Sequence, residues 1–348
     1  MPDSKFARGQ KFCGHLKRKG INLRLTRQLQ TPKLVDMSTA SAVSEQQEIE
    51  GERDSHTLLC GLEADFSLFQ PGQLRARLAA LDVLDARFGG VDPDDCAKGT
   101  ESRVHRRAKA LQTRLETVNA ELYRSIRSEI LRGDPPRGLL PCLMGSASQR
   151  KDSADQNGSE SVSPGLGFDW RDELASDLLQ FREPSELDLQ RSWEMVPYQP
   201  TPVRHILELI RTEALSDDDL FVDLGSGLGH VPLLVSMLTG ARCLGIEVQA
   251  GYVARAQECA ESFHLSGARF MQGDAREADL SCGTVFYLYS PFTGSILTDV
   301  LRRLQMEGSR RSIRICSLGP CTRVVANERW LTASAPPDPE RITVFHSR

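Results

Sequence analysis

VDLGSGLGH, residues 222–230, carries three glycines at alternate positions, Gly225, Gly227 and Gly229, behind an acid, Asp223. Apolar runs flank it: FVDLG (221–225) reads as a strand and LGHVPLLVSML (228–238) as a helix. Glycine permits positive φ and removes a Cβ, so something must approach this backbone closely. A glycine loop between strand and helix lies where open parallel sheets bind ligands, outside the carboxyl end of the first strand. Dinucleotide folds seat a pyrophosphate on G-x-G-x-x-G at the helix N-terminus. Here the third glycine follows the second by two residues, and the acid stands two residues before the first. A carboxylate there repels a pyrophosphate and suits a cationic ligand with amine and hydroxyl donors.

Outward from the loop, strands and helices alternate. An amphipathic helix, PVRHILELIRTEAL (202–215), precedes the first strand and puts Val203, Ile206, Leu207, Ile210 and Ala214 on one face. After the loop come strand 241–248, helix 250–264, strands 268–274 and 284–290, helix 295–306, strand 312–318 and a last strand, 341–347. Such alternation builds a parallel sheet with helices on both faces. The strands are apolar without a period of two, which fits a sheet buried on both sides. The expected fold class is α/β: doubly wound, with a mostly parallel sheet and an added N-terminal helical unit.

That helical unit spans 57–142. LRARLAALDVLDARF (74–88) places Leu74, Leu78, Leu81, Leu84 and Phe88 on one face. In the next helix Val104, Ala108, Leu111, Leu115, Val118 and Leu122 recur at spacings of four and three, with Ile126 and Ile130 extending the stripe. Residues 143–167 are rich in Ser, Gly, Asp and Gln and read as a flexible linker. Residues 168–201 then form a candidate lid, with Phe168, Trp170, Phe181 and Trp193 to bury and Pro197, Pro200 and Pro202 to stiffen it.

The chain has 348 residues and a net charge of -4. Residues 1–36 hold nine Lys/Arg and two acids, a net of +7, which leaves -11 for the rest. The segment 1–56 is expected to be disordered, basic and then polar. Its first 36 residues read as a phosphate-binding arm, a transit peptide, or an extension upstream of a natural start at Met37. An acidic body argues against a broad nucleic-acid surface. No apolar run is long enough for a membrane helix. The nine cysteines are scattered, with no C-x-x-C pair, so reduced thiols and a cytoplasmic location are expected and no metal site is.

From residue 200 onward the chain resembles the class I (Rossmann-like) S-adenosyl-L-methionine (SAM)-dependent methyltransferases. Asp223-x-Gly225-x-Gly227-x-Gly229, with Ser226 in the loop, matches the first motif. Glu247, followed by Val248, matches the acid that ends strand two; the resemblance implies that it accepts from both ribose hydroxyls. GDA (273–275) matches the third motif, which implies that Asp274 accepts from the adenine amino group and that the Ala275 N–H faces the ring. YSPF (289–292) stands where the family has its substrate-facing motif. The stretch with YQPTPVRHILELI before the first strand is similar to the disruptor-of-telomeric-silencing family, histone lysine methyltransferases without a SET domain. That family has a Tyr-Gly-Glu-Thr loop touching SAM. Tyr198 and Thr201 match it, while Gln199 and Pro200 depart; the family's Asn-Phe-x-Phe is absent. YSPF is also similar to the Asn/Asp/Ser-Pro-Pro-Tyr/Phe motif of amino-group methyltransferases, with one proline fewer.

These likenesses imply a SAM-dependent methyltransferase acting on a nitrogen of a protein (lysine-like) or a small molecule. Tyr289, Ser290, Pro291 and Phe292 would face the acceptor. Tyr287 and Tyr289 share strand parity and, with Phe292, would line an aromatic slot for a cationic amine. Asp223, Gly225, Ser226, Gly227, Gly229, Glu247, Val248, Asp274, Ala275, Tyr198 and Thr201 would hold the cofactor. The alternative is a non-catalytic SAM-fold module that binds a partner through the helical unit.

Overall fold

The computed structural model describes residues 53–89, 103–132, 139, 143, 167–181, 196 and 198–348. The arm 1–36, the linker residues 144–166 and, in the expected lid, Trp193 and Pro197 lie outside the described residues. Two compact units are distinguished, Met1–Leu122 and Tyr123–Arg348.

In the first unit a helix over 53–64 (α1) leads through single 3-10 turns, Phe66–Phe69 and Pro71–Gln73, into α2 (Leu74–Phe88) and then α3 (Arg103–Leu131), within which the division falls. Leu59, Leu68, Ala80, Leu84, Ala108, Leu111 and Leu115 form its core. The expected α3 stripe slips after Leu115: Val118 and Leu122 are only partly buried, while Asn119 and Tyr123 are buried. The cause is Arg77, whose side chain is wholly buried. Its Nε donates to Asn119 Oδ1 (2.5 Å), and its Nη1 donates to the carbonyls of Leu68 (2.8 Å) and Gln70 (2.9 Å). A guanidinium inside the unit requires such acceptors, and the stripe yields to supply one.

The second unit begins, after the C-terminal part of α3, with α4 (Trp170–Leu179) and α5 (Val203–Glu213). α5 is shorter than its apolar pattern: Ala214 is left-handed (φ 44) and exposed, and Ile210 is only partly buried. Then come β1 (Leu220–Leu224), α6 (His230–Thr239), β2 (Arg242–Glu247), α7 (Ala250–Ser262), β3 (Ala268–Gln272), β4 (Val285–Tyr289), α8 (Gly294–Gly308), β5 (Arg314–Leu318), α9 (Cys321–Val325), β6 (Leu331–Ala333) and β7 (Thr343–Ser347).

The sheet has seven strands in the order β3-β2-β1-β4-β5-β7-β6. β1 to β5 pair in parallel; β7 runs antiparallel to both β5 and β6. The last strand therefore departs from the alternating pattern, and α9 and β6 lie in a stretch without a clear period. The central strands β1, β4 and β5 are each buried along four consecutive residues, while β3, at an edge, is buried only at Ala268 and Phe270. α6 is buried at every position from His230 to Met237, as expected of a helix that is apolar all round. One face of the sheet packs on α8 through Val222, Leu224, Phe286, Leu288, Val300 and Leu304. The chain runs outward from β1 to β3 and then crosses back to β4. The resulting switch point, between β1 and β4, is where a crevice opens in doubly wound sheets.

Candidate functional site

A cavity of about 850 Å³ lies outside the carboxyl ends of the central strands. It is lined by Tyr198, Thr201, Asp223, Gly225, Ser226, Glu247, Val248, Asp274 and Ala275, and by Tyr289, Ser290, Pro291 and Phe292. Gly227 and Gly229 are not among its lining residues; they sit behind it.

The glycine loop is shaped by the protein itself. All three glycines have positive φ. A Cβ on Gly225 would run into the Pro291 ring, and one on Gly227 into the ring of Tyr198. The close approach legible in the sequence is thus made by the chain's own side chains. The loop's amides are also spent internally. Gly225 N and Ser226 N donate to Ile246 O (2.8 and 3.1 Å), and Gly227 N donates to Glu247 Oε2 (2.9 Å). Those N–H groups are not free to cradle a pyrophosphate.

Asp223 and Glu247 are both buried. Glu247 also accepts from Gln249 N (2.9 Å), so both its oxygens tie loop backbone. Burial raises its pKa against those bonds. Asp223 has no hydrogen-bond or ion-pair partner among the described residues, and burial, then the nearby Glu247 charge, holds its pKa well above the carboxylate range. The Ser226 hydroxyl is buried and likewise unpartnered. Two acids near each other with so little compensation call for a cation in the cavity. Asp274 differs: Arg276 grips it through Nη2 (2.6 Å) and backbone N (2.8 Å) and holds its pKa low. Its carboxylate is turned to Arg276, a cavity residue that the motif reading did not include.

Val196 and residues 198–201 strap the cavity. Val196 N donates to Pro291 O (3.2 Å), and Thr201 Oγ1 is 3.0 Å from the Tyr287 hydroxyl. The Tyr198 ring covers Gly227 and lies 5.2 Å from the Tyr252 ring. Its hydroxyl is 2.6 Å from His230 Nδ1. Burial raises the Tyr198 pKa and pushes that of His230 down to about 3, so a neutral phenol and a neutral imidazole share this hydrogen bond. Phe181 packs on the other contact of that imidazole, with ring centroids 4.4 Å apart. Asp172, at the head of α4, accepts from Val203 N (2.8 Å) and so fixes the end of the strap. Phe168, by contrast, is 43% exposed and plugs nothing. His230 and Tyr252 also line the cavity and were not singled out from the sequence. His230 closes the quoted motif, a polar residue opening an otherwise apolar helix, and that contrast was the available signal.

The acceptor-side expectations divide. Ser290 is held at φ 40, and its hydroxyl donates to Leu318 O (3.2 Å) and accepts from Cys321 N (3.0 Å). That hydroxyl ties β4 to the start of α9. Pro291 spends its carbonyl on the strap. Tyr287 is 1% exposed and bonded to Thr201, whereas Tyr289 is only partly buried. Among the described residues no three His, Cys, Asp or Glu side chains gather as a metal site. No helix among them is long and apolar enough to cross a membrane.

The donor set fits SAM: an unpartnered carboxylate for its ammonium and sulfonium charge, and a strand-end acid and a serine for its hydroxyls. Comparisons with known proteins find likenesses over parts of the chain. The sequence model of the family described as "Histone methylation protein DOT1" matches residues 183–272. A protein-lysine N-methyltransferase of Saccharolobus islandicus (strain REY15A) is 27% identical over 135 residues, 38% of this chain and 76% of that protein. An RNA methyltransferase from Salinibacter ruber, solved with S-adenosyl-L-homocysteine, is 26% identical over 43% of this chain and 92% of its own, with a TM-score of 0.36. A Pyrococcus abyssi tRNA (uracil-54, C5)-methyltransferase is 18% identical, over 43% of this chain and 39% of its own, with a TM-score of 0.33. The chain is a class I SAM-dependent methyltransferase that, over residues 183–272, is similar to the DOT1 histone methylation proteins.

Proposed function

We propose that the methyl acceptor is a lysine side-chain amine of a protein. The observation that carries the cofactor half is Asp223, a buried carboxylate without a partner inside the cavity. SAM, when bound, supplies a methyl carbon already activated by its sulfonium. The chain's own work is then to bind, orient and exclude water, and prepaid orientation lowers the barrier. Asp223 takes the cationic amino-acid end, Glu247 and Ser226 the hydroxyls, Val248 and Ala275 flank the adenine, and Tyr198 and Thr201 close the strap over them. Asp274, gripped by Arg276, keeps lone pairs for the adenine amino group.

Two features support lysine. The named relative acts on protein lysine, and the matched family is named for histones. On the β4–β5 side the lining is neutral, with Val196 and Val324 exposed at 44% and 42%, which suits an aliphatic stem. A nucleic-acid acceptor is not part of this reading, because the body is acidic. The helical unit, expected over 57–142, divides from the unit that carries the methyltransferase domain 168–348 inside α3, between Leu122 and Tyr123, and we read the protein, whose six described cysteines are free, as cytoplasmic. The test is incubation with methyl-labelled SAM and, in parallel, poly-L-lysine, tRNA and small amines. Label on the lysine polymer is expected; label on tRNA alone, or on small amines alone, would contradict the reading.

A further inference from the structure

Apart from those of the strap and of α6 and α7, the cavity's polar side chains fall into two groups. Asp223, Ser226, Glu247 and Asp274 stand on or just after β1, β2 and β3. From β4 onward its polar side chains are neutral, and three of them, Tyr287, Tyr289 and Ser290, carry hydroxyls on or next to β4. The Tyr287 hydroxyl pairs with Thr201, and the Ser290 hydroxyl with Leu318 O and Cys321 N. The Tyr289 hydroxyl is buried and has no partner among the described residues. A buried hydroxyl left unpaired is costly and asks for an explanation.

Tyr289 is also held firmly. It ends β4, and the next residue, Ser290, is locked by its two bonds. Its ring rests on Gly319, where an added Cβ would stand 3.3 Å from Tyr289 Cε2. Such a group is placed rather than left over.

We propose that the Tyr289 hydroxyl receives the acceptor amine, accepting a hydrogen bond from its N–H and so turning the nitrogen lone pair toward the cofactor side of the cavity. This rests on the lysine reading above. Burial raises the Tyr289 pKa, so the phenol stays protonated and is a hydrogen-bond partner, not a base. The ammonium of a lysine therefore gives its proton to water before the amine enters. A neutral primary amine keeps two N–H groups and one lone pair, so one N–H serves the phenol while the lone pair stays free. The N–C bond forms as the methyl's bond to sulfur breaks, and the methylammonium product gives its proton to water, so the secondary amine that results keeps a single N–H. After two there is none, and the phenol then donates to the lone pair and blocks it. The bond thus favours primary and secondary amines over tertiary ones.

The test compares the parent with Tyr289→Phe, using poly-L-lysine as acceptor, and measures kcat, KM, SAM affinity by calorimetry, melting temperature and the ratio of methylation states. The expected result is at least a tenfold fall in kcat with SAM affinity within twofold, an unchanged or higher melting temperature, and a larger trimethyl share among the products. An unchanged kcat would overturn the proposal while leaving the lysine reading intact. So would a kcat that falls only in step with SAM affinity. A parent that binds SAM but leaves poly-L-lysine unmethylated would overturn the lysine reading and this proposal with it.

Discussion

Gly227 shows what a residue's absence of a side chain accomplishes here. It is left-handed, and the Tyr198 ring occupies the place its Cβ would take. Gly227→Ala should therefore displace Tyr198 and add the cost of a left-handed alanine, about 1–2 kcal/mol. Lower thermal stability and weaker SAM binding are the expected outcomes; a variant that melts and binds as the parent does would show that the ring has other room. Glu247 has a second duty beyond the expected ribose contact, since its two oxygens hold the N–H groups of Gly227 and Gln249. Glu247→Gln leaves one of those amides without an acceptor and should cost about 1–3 kcal/mol, read by denaturant unfolding of the SAM-free protein. The glycines and acids were legible because few residue types satisfy such backbone demands. What approaches the glycines was not, because Tyr198 and Pro291 reach them from 29 and 66 residues away in sequence.

At the scale of elements, the strap of Val196 and residues 198–201 bonds to α6 and β4 at the cavity, and Asp172 of α4 holds Val203 just beyond it. Its expected closure over the cofactor predicts slower hydrogen exchange at 198–201 when SAM is added. Exchange that is slow and unchanged in both states would make the strap a fixed wall. The Tyr198–His230 pair adds a pH dependence. His230 has a folded pKa of about 3 against an ordinary 6.5. The unfolded chain therefore takes up a proton that the fold refuses, and stability falls as pH drops below 6.5. The loss attributable to this group is about 2 kcal/mol by pH 5. His230→Gln, which keeps an acceptor for the phenol, should flatten that acid limb in melts between pH 7.5 and 5. An unaltered limb would mean that the imidazole is protonated in the fold. A covering segment before β1 was expected from proline and aromatic content. Its anchors were not, because Asp172 acts through a backbone bond to Val203 that no side-chain pattern announces.

For the whole molecule, the alternation of apolar strands and helices was enough to imply a doubly wound sheet, and the parallel order around β1 follows from it. The far edge was harder. β7 is antiparallel and β6 is three residues long, so neither carries a helix-linked period. The slip in α3 had the same origin as the anchors: a buried Arg77 makes a polar position, Asn119, part of the core. The central claim is that the switch-point cavity binds SAM through the unpartnered Asp223. Calorimetric titration of SAM into the parent and into Asp223→Asn tests it most directly. Removing a charge-assisted hydrogen bond costs about 1.5–3 kcal/mol, so the variant should bind at least tenfold more weakly while melting at the parent's temperature or above. Equal SAM affinity in parent and variant, or no measurable binding by the parent, would contradict the account.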